Sequence, residues 1–335
     1  MKNSLLTAAL LLLLSTALHA QRVVIAYVTS RPGDLPDPTY LTHINYAFGH
    51  VNETFDGVLI ENPDRLKEIS ALKKQYPDLK VLLSIGGWGS GRFSEMAADE
   101  VNRWKFAKDC RRTVRKFHLD GIDIDWEYPT SNAAGISCSK EDTENYTLLM
   151  RDLRKALGPK KLLTHATVSS AQYMDFVAVD EYVNFTNVMT YDLGWAPYLN
   201  SPLYPSEHTD STSVTASEGI QRYLDLGLPA EKIVMGLAFY GRGVKGFKRP
   251  DDLTRVHERE GYDYNWDDKA MVPYLTDSST GEFAFGYENL RSLAIKCEYA
   301  ISKGLKGCMY WSYGGDNAAG DLRRTVYQTL NKPLE

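Results

Sequence analysis

The stretch DGIDIDWEYP, residues 120 to 129, puts Asp120, Asp123, Asp125 and Glu127 into a segment otherwise built like a buried strand. Side chains alternate across a strand, so Asp123, Asp125 and Glu127 share one face, each about 6–7 Å from the next. Ile122, Ile124 and Trp126 take the other face, where helices can cover them. Three carboxylates in line cannot all ionise cheaply, because burial and like charge both raise their pKa values. At least one should hold its proton near neutral pH. Glu127, last in the run, stands nearest the strand end. A protonated acid at the mouth of a concave site can protonate a leaving oxygen, the step that glycosidic cleavage needs.

Such a face needs an architecture that points it into a pocket. Short β-branched runs alternate along the chain with amphipathic helical stretches. The expected strands are 22–28, 43–48, 80–87, 121–127, 162–168, 187–192, 232–241 and 307–313. Helix-like segments such as DRLKEISALKKQ, NRWKFAKDCRRTVRKF and TENYTLLMRDLRKAL lie between several of them. This rhythm predicts an α/β fold, a (β/α)8 TIM barrel, whose active sites lie at the C-terminal strand ends. A doubly wound sheet would carry a Gly-rich loop after its first strand, and AYVTSRPGD has none. Residues 244–290 break the rhythm with aromatics, glycines and strand-like pieces. They are read as a small α+β insertion between strands seven and eight, leaving 21–243 and 291–335 as the barrel.

The 335 residues are 43% hydrophobic and 24% charged, with a formal net charge of −5, which is ordinary globular composition. No basic run points to nucleic acid or to an anionic membrane surface. Residues 1–20 read as a signal peptide: Lys2, an apolar run from Leu5 to Leu14, then STALHA, with cleavage expected before Gln21. A secreted or periplasmic, monomeric protein is the expectation, with no membrane contact once the leader is removed. The four cysteines fit no zinc spacing, and the seven histidines show no HxH or HExxH pattern, so no metal or cofactor is expected. Cys297 and Cys308 are close enough in sequence to be a candidate disulfide pair.

The acidic strand, with Tyr128 and Pro129 after it, resembles the DxxDxDxE motif of glycoside hydrolase family 18, the chitinase-type enzymes. Other segments resemble that family in the same order: SIGGW (84–88), MTYD (189–192), NSPLY (200–204), GLAFYGR (236–242) and YWSY (310–313). WDDKAMVPY (266–274) and the FGYENLRSLAIK that follows it resemble the family's α+β insertion. The likeness spans essentially all of the chain after residue 20. One departure stands out: only LGWAPYL separates MTYD from NSPLY, shorter than in many members. The wall on the leaving-group side is therefore expected to be lower or differently shaped.

The resemblance implies substrate-assisted catalysis with retention, which needs no carboxylate nucleophile. Glu127 would protonate the glycosidic oxygen while the sugar's 2-acetamido carbonyl attacks the anomeric carbon. The resulting oxazolinium ion is then opened by water that Glu127 activates. Asp125 would orient the acetamido N–H and stabilise the growing positive charge. Asp123 would share a proton with Asp125, with Tyr27 and Ser84 bonded to it. Tyr191 would donate to the acetamido oxygen. Asp192, Tyr240 and Arg242 would hold the sugar and its neighbour, and Trp311 would be the floor beneath it. Phe48, Gly87, Trp88 and Trp195 would complete the cleft, and Asp120 would support it structurally.

The function implied is that of a secreted, endo-acting chitinase, with chitin or N-acetylglucosamine oligosaccharides as partners. Two alternatives share the barrel. An endo-β-N-acetylglucosaminidase would cut N-glycan chitobiose cores, although enzymes of that kind commonly lack the insertion. A chitin-binding lectin would typically have lost the acid at position 127, which is Glu in this chain.

Overall fold

The structure, a computed structural model, describes residues 21–248 and 250–332. The expected signal peptide lies outside the described residues. Eight parallel strands, taken in chain order, form a closed barrel: Val23–Thr29, His43–Val51, Lys80–Gly86, Gly121–Asp125, Leu162–Val168, Phe185–Met189, Ile233–Ala238 and Gly307–Trp311. Each pairs with its chain neighbours, and the eighth closes on the first through Val23 opposite Gly307. A short strand, Val58–Ile60, adds antiparallel to the second.

The alternation in the acidic strand works as its residue types dictate. Ile122, Ile124 and Trp126 are fully buried outside the barrel, and Trp126 stacks on Phe93 at 5.3 Å. The helix Glu100–Lys116 packs on Asp142–Leu157 beside it. The first of these starts at Asp99, whose carboxylate accepts from Asn102 N–H at 2.8 Å and so satisfies one otherwise unpaired helix-start donor. Inside the barrel a smaller apolar group, including Ile25, Ala166, Phe185, Val234 and Met309, fills the lower layers.

Three strands that lead into the site stop earlier than expected. The fourth strand stops at Asp125, the sixth at Met189 and the seventh at Ala238. Glu127, Tyr191, Asp192 and Tyr240 therefore sit past the ladder, where the backbone no longer pairs sideways. Asp192 adopts a left-handed backbone (φ 56°), a turn conformation that Asp tolerates better than most residues.

Between strands seven and eight lies a four-stranded antiparallel sheet of Arg242–Gly243, Tyr262–Asp267, Val272–Asp277 and Phe283–Gly286. Its helical part is the 3-10 helix Leu253–Glu258. The helix Leu290–Ser302 that follows belongs to the barrel and opens with a capping box of Asn289 and Ser292. Cys297 and Cys308 are buried free thiols; Cys297 hydrogen-bonds with its neighbour, and the candidate disulfide is not formed. Among the described residues no helix is long and apolar enough to cross a membrane.

Candidate active site

Strand register decides what surrounds Asp123. Ser84 and Thr164 are its direct partners on the third and fifth strands, so their side chains share its face. Ser84 donates to Asp123 Oδ2 at 2.8 Å and Thr164 to Oδ1 at 2.6 Å. Tyr27 reaches across the barrel to Oδ2 at 2.9 Å, and Asn187 to Oδ1 at 3.2 Å. Burial pushes the Asp123 carboxyl up, and these four donated bonds pull against it. Tyr27 and Ser84 take the places expected of them. Thr164 and Asn187 were not foreseen: their strands also carry His165, Thr167 and Thr186, so polarity alone does not single them out.

Asp125, one pleat higher, is enclosed as fully but lacks that support. Its Oδ1 has no hydrogen-bond partner among the described residues. Burial, then the charges of Glu127 and Asp123, hold its carboxyl well above the usual range. Two glycines allow this close packing. Gly86 pairs with Asp125, and a Cβ there would fall 1.9 Å from the Asp125 carbonyl oxygen. At Gly87 (φ 90°) a Cβ would meet the Phe48 ring at 2.7 Å.

Glu127 follows the strand and is pushed up to about 7, mainly by burial, with Asp192 adding and a hydrogen bond with Tyr128 opposing. A carboxyl with that pKa is half protonated at neutrality and can work as acid, then as base. Tyr128 was absent from the expected site. Its ring stacks on Tyr173 at 5.1 Å and meets Trp88 edge-on.

Trp311, at the end of the eighth strand, stacks on Phe48 at 5.6 Å and leans on Tyr27 at 6.0 Å. Together they make an apolar floor opposite Glu127. Tyr191 stands between floor and acid, its phenol held in the neutral form chiefly by burial. Asp192 Oδ1 accepts from Tyr240 at 2.9 Å and from Arg242 at 2.9 and 2.7 Å. The Arg242 guanidinium also lies 4.3 Å from the Trp195 ring centroid. Trp88 and Trp195 are 64% and 62% exposed, so neither is packing under a loop.

Most of these residues line one cleft of roughly 1140 Å³, larger than the ~300–1,000 Å³ of ordinary small-molecule pockets; Gly87 and Tyr240, expected to touch substrate, are not part of its lining. Gln172, the Ser211–Val214 segment and Arg222 also contribute to its wall. Gln172 and Ser211–Val214 come from loops without hydrophobic periodicity, where the sequence carries no signal for them, whereas Arg222 stands on the amphipathic helix Ala216–Asp225. Asp120 takes no part. It lies below the fourth strand, where Oδ2 accepts from Val81 N–H and Lys73 Nζ, both at 2.8 Å. Among the described residues no cluster of three or more His, Cys, Asp or Glu is arranged to hold a metal.

A parallel barrel with a proton-holding acid at its mouth, an unpaired carboxyl beneath and an aromatic floor is an arrangement for cleaving sugars. The sequence profile of the glycosyl hydrolases family 18 matches residues 23–316, and the chain belongs to that family. It is 31% identical to Chitinase A1 of Niallia circulans over 84% of this chain and 53% of that one. It is 31% identical to Probable chitinase 2 of Drosophila melanogaster over 88% of this chain and 71% of that one. It thus spans little more than half of the first relative. Among solved structures it is similar to a family 18 N-acetylglucosaminidase from Paenibacillus barengoltzii, with TM-score 0.83 and 34% identity, covering 92% of this chain and 100% of that one. It is also similar to an Ostrinia furnacalis Group IV chitinase in complex with allosamidin, with TM-score 0.83 and 27% identity over 92% of this chain and 99% of that one.

Proposed function

We propose that the protein hydrolyses β-1,4 bonds between N-acetylglucosamine units of chitin or its oligosaccharides, with retention and by acetamido assistance. The observation that carries this reading is the contrast between Glu127 and Asp125. Glu127 is poised near pH 7 to protonate the leaving oxygen. Asp125 offers an unpaired, enclosed oxygen where an acetamido N–H would sit. Tyr191 supplies a neutral phenol O–H for the acetamido oxygen, and Trp311 receives the apolar face of the sugar. The chitinase relatives and the chitinase complex with allosamidin support the same substrate class.

The sequence leads to the expectation of internal cleavage, giving dimers and trimers. One observation favours a second reading, release of single sugars from a chain end. A sugar stacked on Trp311 would turn its C1 toward Glu127, and the leaving units would then run toward strands three to six. The exposed aromatics Trp88 and Trp195, and the Gln172 and Ser211–Val214 walls, lie on that side. On the opposite side the described lining stops at Tyr27, Phe48 and Trp311, with no residue from the loops after strands one and eight. Binding is thus built for the leaving group. Similarity to a family 18 N-acetylglucosaminidase supports this mode.

The experiment incubates the chain from Gln21 onward, beside its Glu127→Gln variant, with N-acetylglucosamine hexamer and with a high-mannose glycoprotein. Dimers and trimers from the hexamer mean internal cleavage; monomer with accumulating pentamer means end cleavage. Either must vanish in the variant, by about 10²–10⁴-fold in rate. Glycan release from the glycoprotein alone would move the assignment to N-glycans, and binding of the hexamer without cleavage would leave a lectin. We further propose export by residues 1–20 and action as a monomer outside the cytoplasm. A mature N-terminus at Gln21 and a monomer mass by light scattering are the outcomes expected.

A further inference from the structure

The peptide carrying Tyr191 is clamped on both sides by a dipeptide from further along the chain. Ser201 Oγ donates to the Thr190 carbonyl at 2.6 Å. Asn200 Oδ1 accepts from the Asp192 N–H at 3.1 Å, holding that residue in its left-handed backbone. Thr190 Oγ1 in turn donates to the Gly236 carbonyl of strand seven at 2.5 Å. The Tyr191 ring has no slack on that side, since a Cβ at Gly236 would lie 2.9 Å from its Cε1. Asn200 and Ser201 thus set the two peptides that aim the phenol.

A buried cation holds this dipeptide. Lys296, on the helix Leu290–Ser302, is wholly enclosed. Its ammonium donates to the Ser201 carbonyl, to Ser201 Oγ at 2.9 Å and to Glu288. An ammonium has three N–H groups, and these three acceptors match them. Ser201 Oγ accepts from Lys296 and donates its own O–H to the Thr190 carbonyl, so one hydroxyl relays the lysine's position to the Tyr191 peptide. Glu288 is fixed by Ser292 Oγ at 2.6 Å and follows directly on the last strands of the insertion. A buried ion pair adds little net stability over an apolar pair of the same shape. What this one supplies is direction, because an apolar pair cannot orient a hydroxyl.

We propose that Lys296, set by Glu288, is a positioning residue for Tyr191, acting through Ser201 and the Thr190 carbonyl from outside the barrel. The proposal rests on the reading of Tyr191 as the donor to the acetamido oxygen. It also gives the insertion a link to the catalytic wall through Glu288.

The test compares Lys296→Met, the double variant Lys296→Met with Glu288→Leu, Ser201→Ala and Tyr191→Phe. The readouts are kcat and KM on an N-acetylglucosamine oligomer and the thermal midpoint. Small misplacements of a reacting group cost up to about 10²-fold, so Lys296→Met should lower kcat by about tenfold or more, with KM changed less. The double variant removes the uncompensated buried charge and should recover the thermal midpoint while kcat stays low. Ser201→Ala, which deletes only the relay, should lower kcat in the same direction with the fold intact. In a Tyr191→Phe background the Lys296 change should have no further effect on kcat. Recovery of kcat along with stability in the double variant, an unchanged kcat in Ser201→Ala, or Lys296 and Tyr191 effects that multiply would each overturn the proposal. A wild-type rate in Tyr191→Phe alone would instead overturn the reading of Tyr191 on which it rests.

Discussion

Asp123 and Asp125 are two residues apart on one strand, face the same way and are both buried, yet their surroundings are opposite. The layer around Asp123 is closed: four side chains from strands one, three, five and six donate to its oxygens. The layer around Asp125 is open, with Oδ1 unpartnered among the described residues and the charges of Glu127 and Asp123 nearby. The lower carboxyl is part of the scaffold, and the upper one is kept in a costly state. A buried polar atom without a partner costs roughly 1–3 kcal/mol, and substrate binding is where that cost can be recovered. The contrast separates what the barrel needs to fold from what it holds ready for a ligand.

The largest test of the contrast is on rate. Asp125→Asn should lower kcat by about 10²–10³-fold, the loss typical of one charge-stabilising group. It should leave the thermal midpoint unchanged or higher, because it relieves an unpaired buried carboxyl. A large fall in stability there would erase the distinction between the layers.

Asp123→Asn should do the reverse to stability. It puts an NH2 group among four donors, and a loss of roughly 1–3 kcal/mol is expected, read by urea unfolding. An unaffected midpoint would mean that the closed layer is not structural.

The pH dependence follows from the raised carboxyls. Glu127 and Asp125 titrate higher in the folded chain than in the unfolded one. Between the ordinary carboxylate range and about pH 7 the native state therefore holds more protons, and stability falls as pH rises through that window. Asp125→Asn should flatten this decline. Above that window, on the basic side of about pH 7, the turnover rate should fall, as Glu127 loses the proton it must donate.

The smallest effect is at the cleft's open rim. Trp88→Ala and Trp195→Ala should each raise KM by about two- to tenfold, the range of an aromatic contact worth ~0.5–1.5 kcal/mol. Their kcat should hold. If only long oligosaccharides feel these changes, the lopsided cleft binds its leaving group as described.

Much of this was legible in the chain. The strict alternation in GIDIDW declared a two-faced strand, and its acids declared which face looked into the barrel. The strand–helix rhythm declared the barrel. Less legible was where each strand lets go. Glu127 and Tyr191 were read as strand residues, but both lie past the ladder, where loop hydrogen bonds set the backbone. The donors Thr164 and Asn187 were not distinguishable from His165, Thr167 and Thr186 on the same strands, since nothing local says which side chains will meet Asp123. Asp120, read as structural, lies before the strand and accepts from Val81 N–H and Lys73, contacts that no local pattern announced.

The amino-acid order by itself determined the fold class, the acidic face and the residue types that could do chemistry, because alternation and periodicity are local properties of a chain. The tertiary structure alone decided that one carboxyl would be satisfied and the next left open. It also decided that Lys296 would reach Ser201, 95 positions away, and that the cleft would extend to one side. These outcomes depend on register between strands and on loops meeting in space. Burial and hydrogen bonding act on whichever groups are brought together, whatever their separation along the chain.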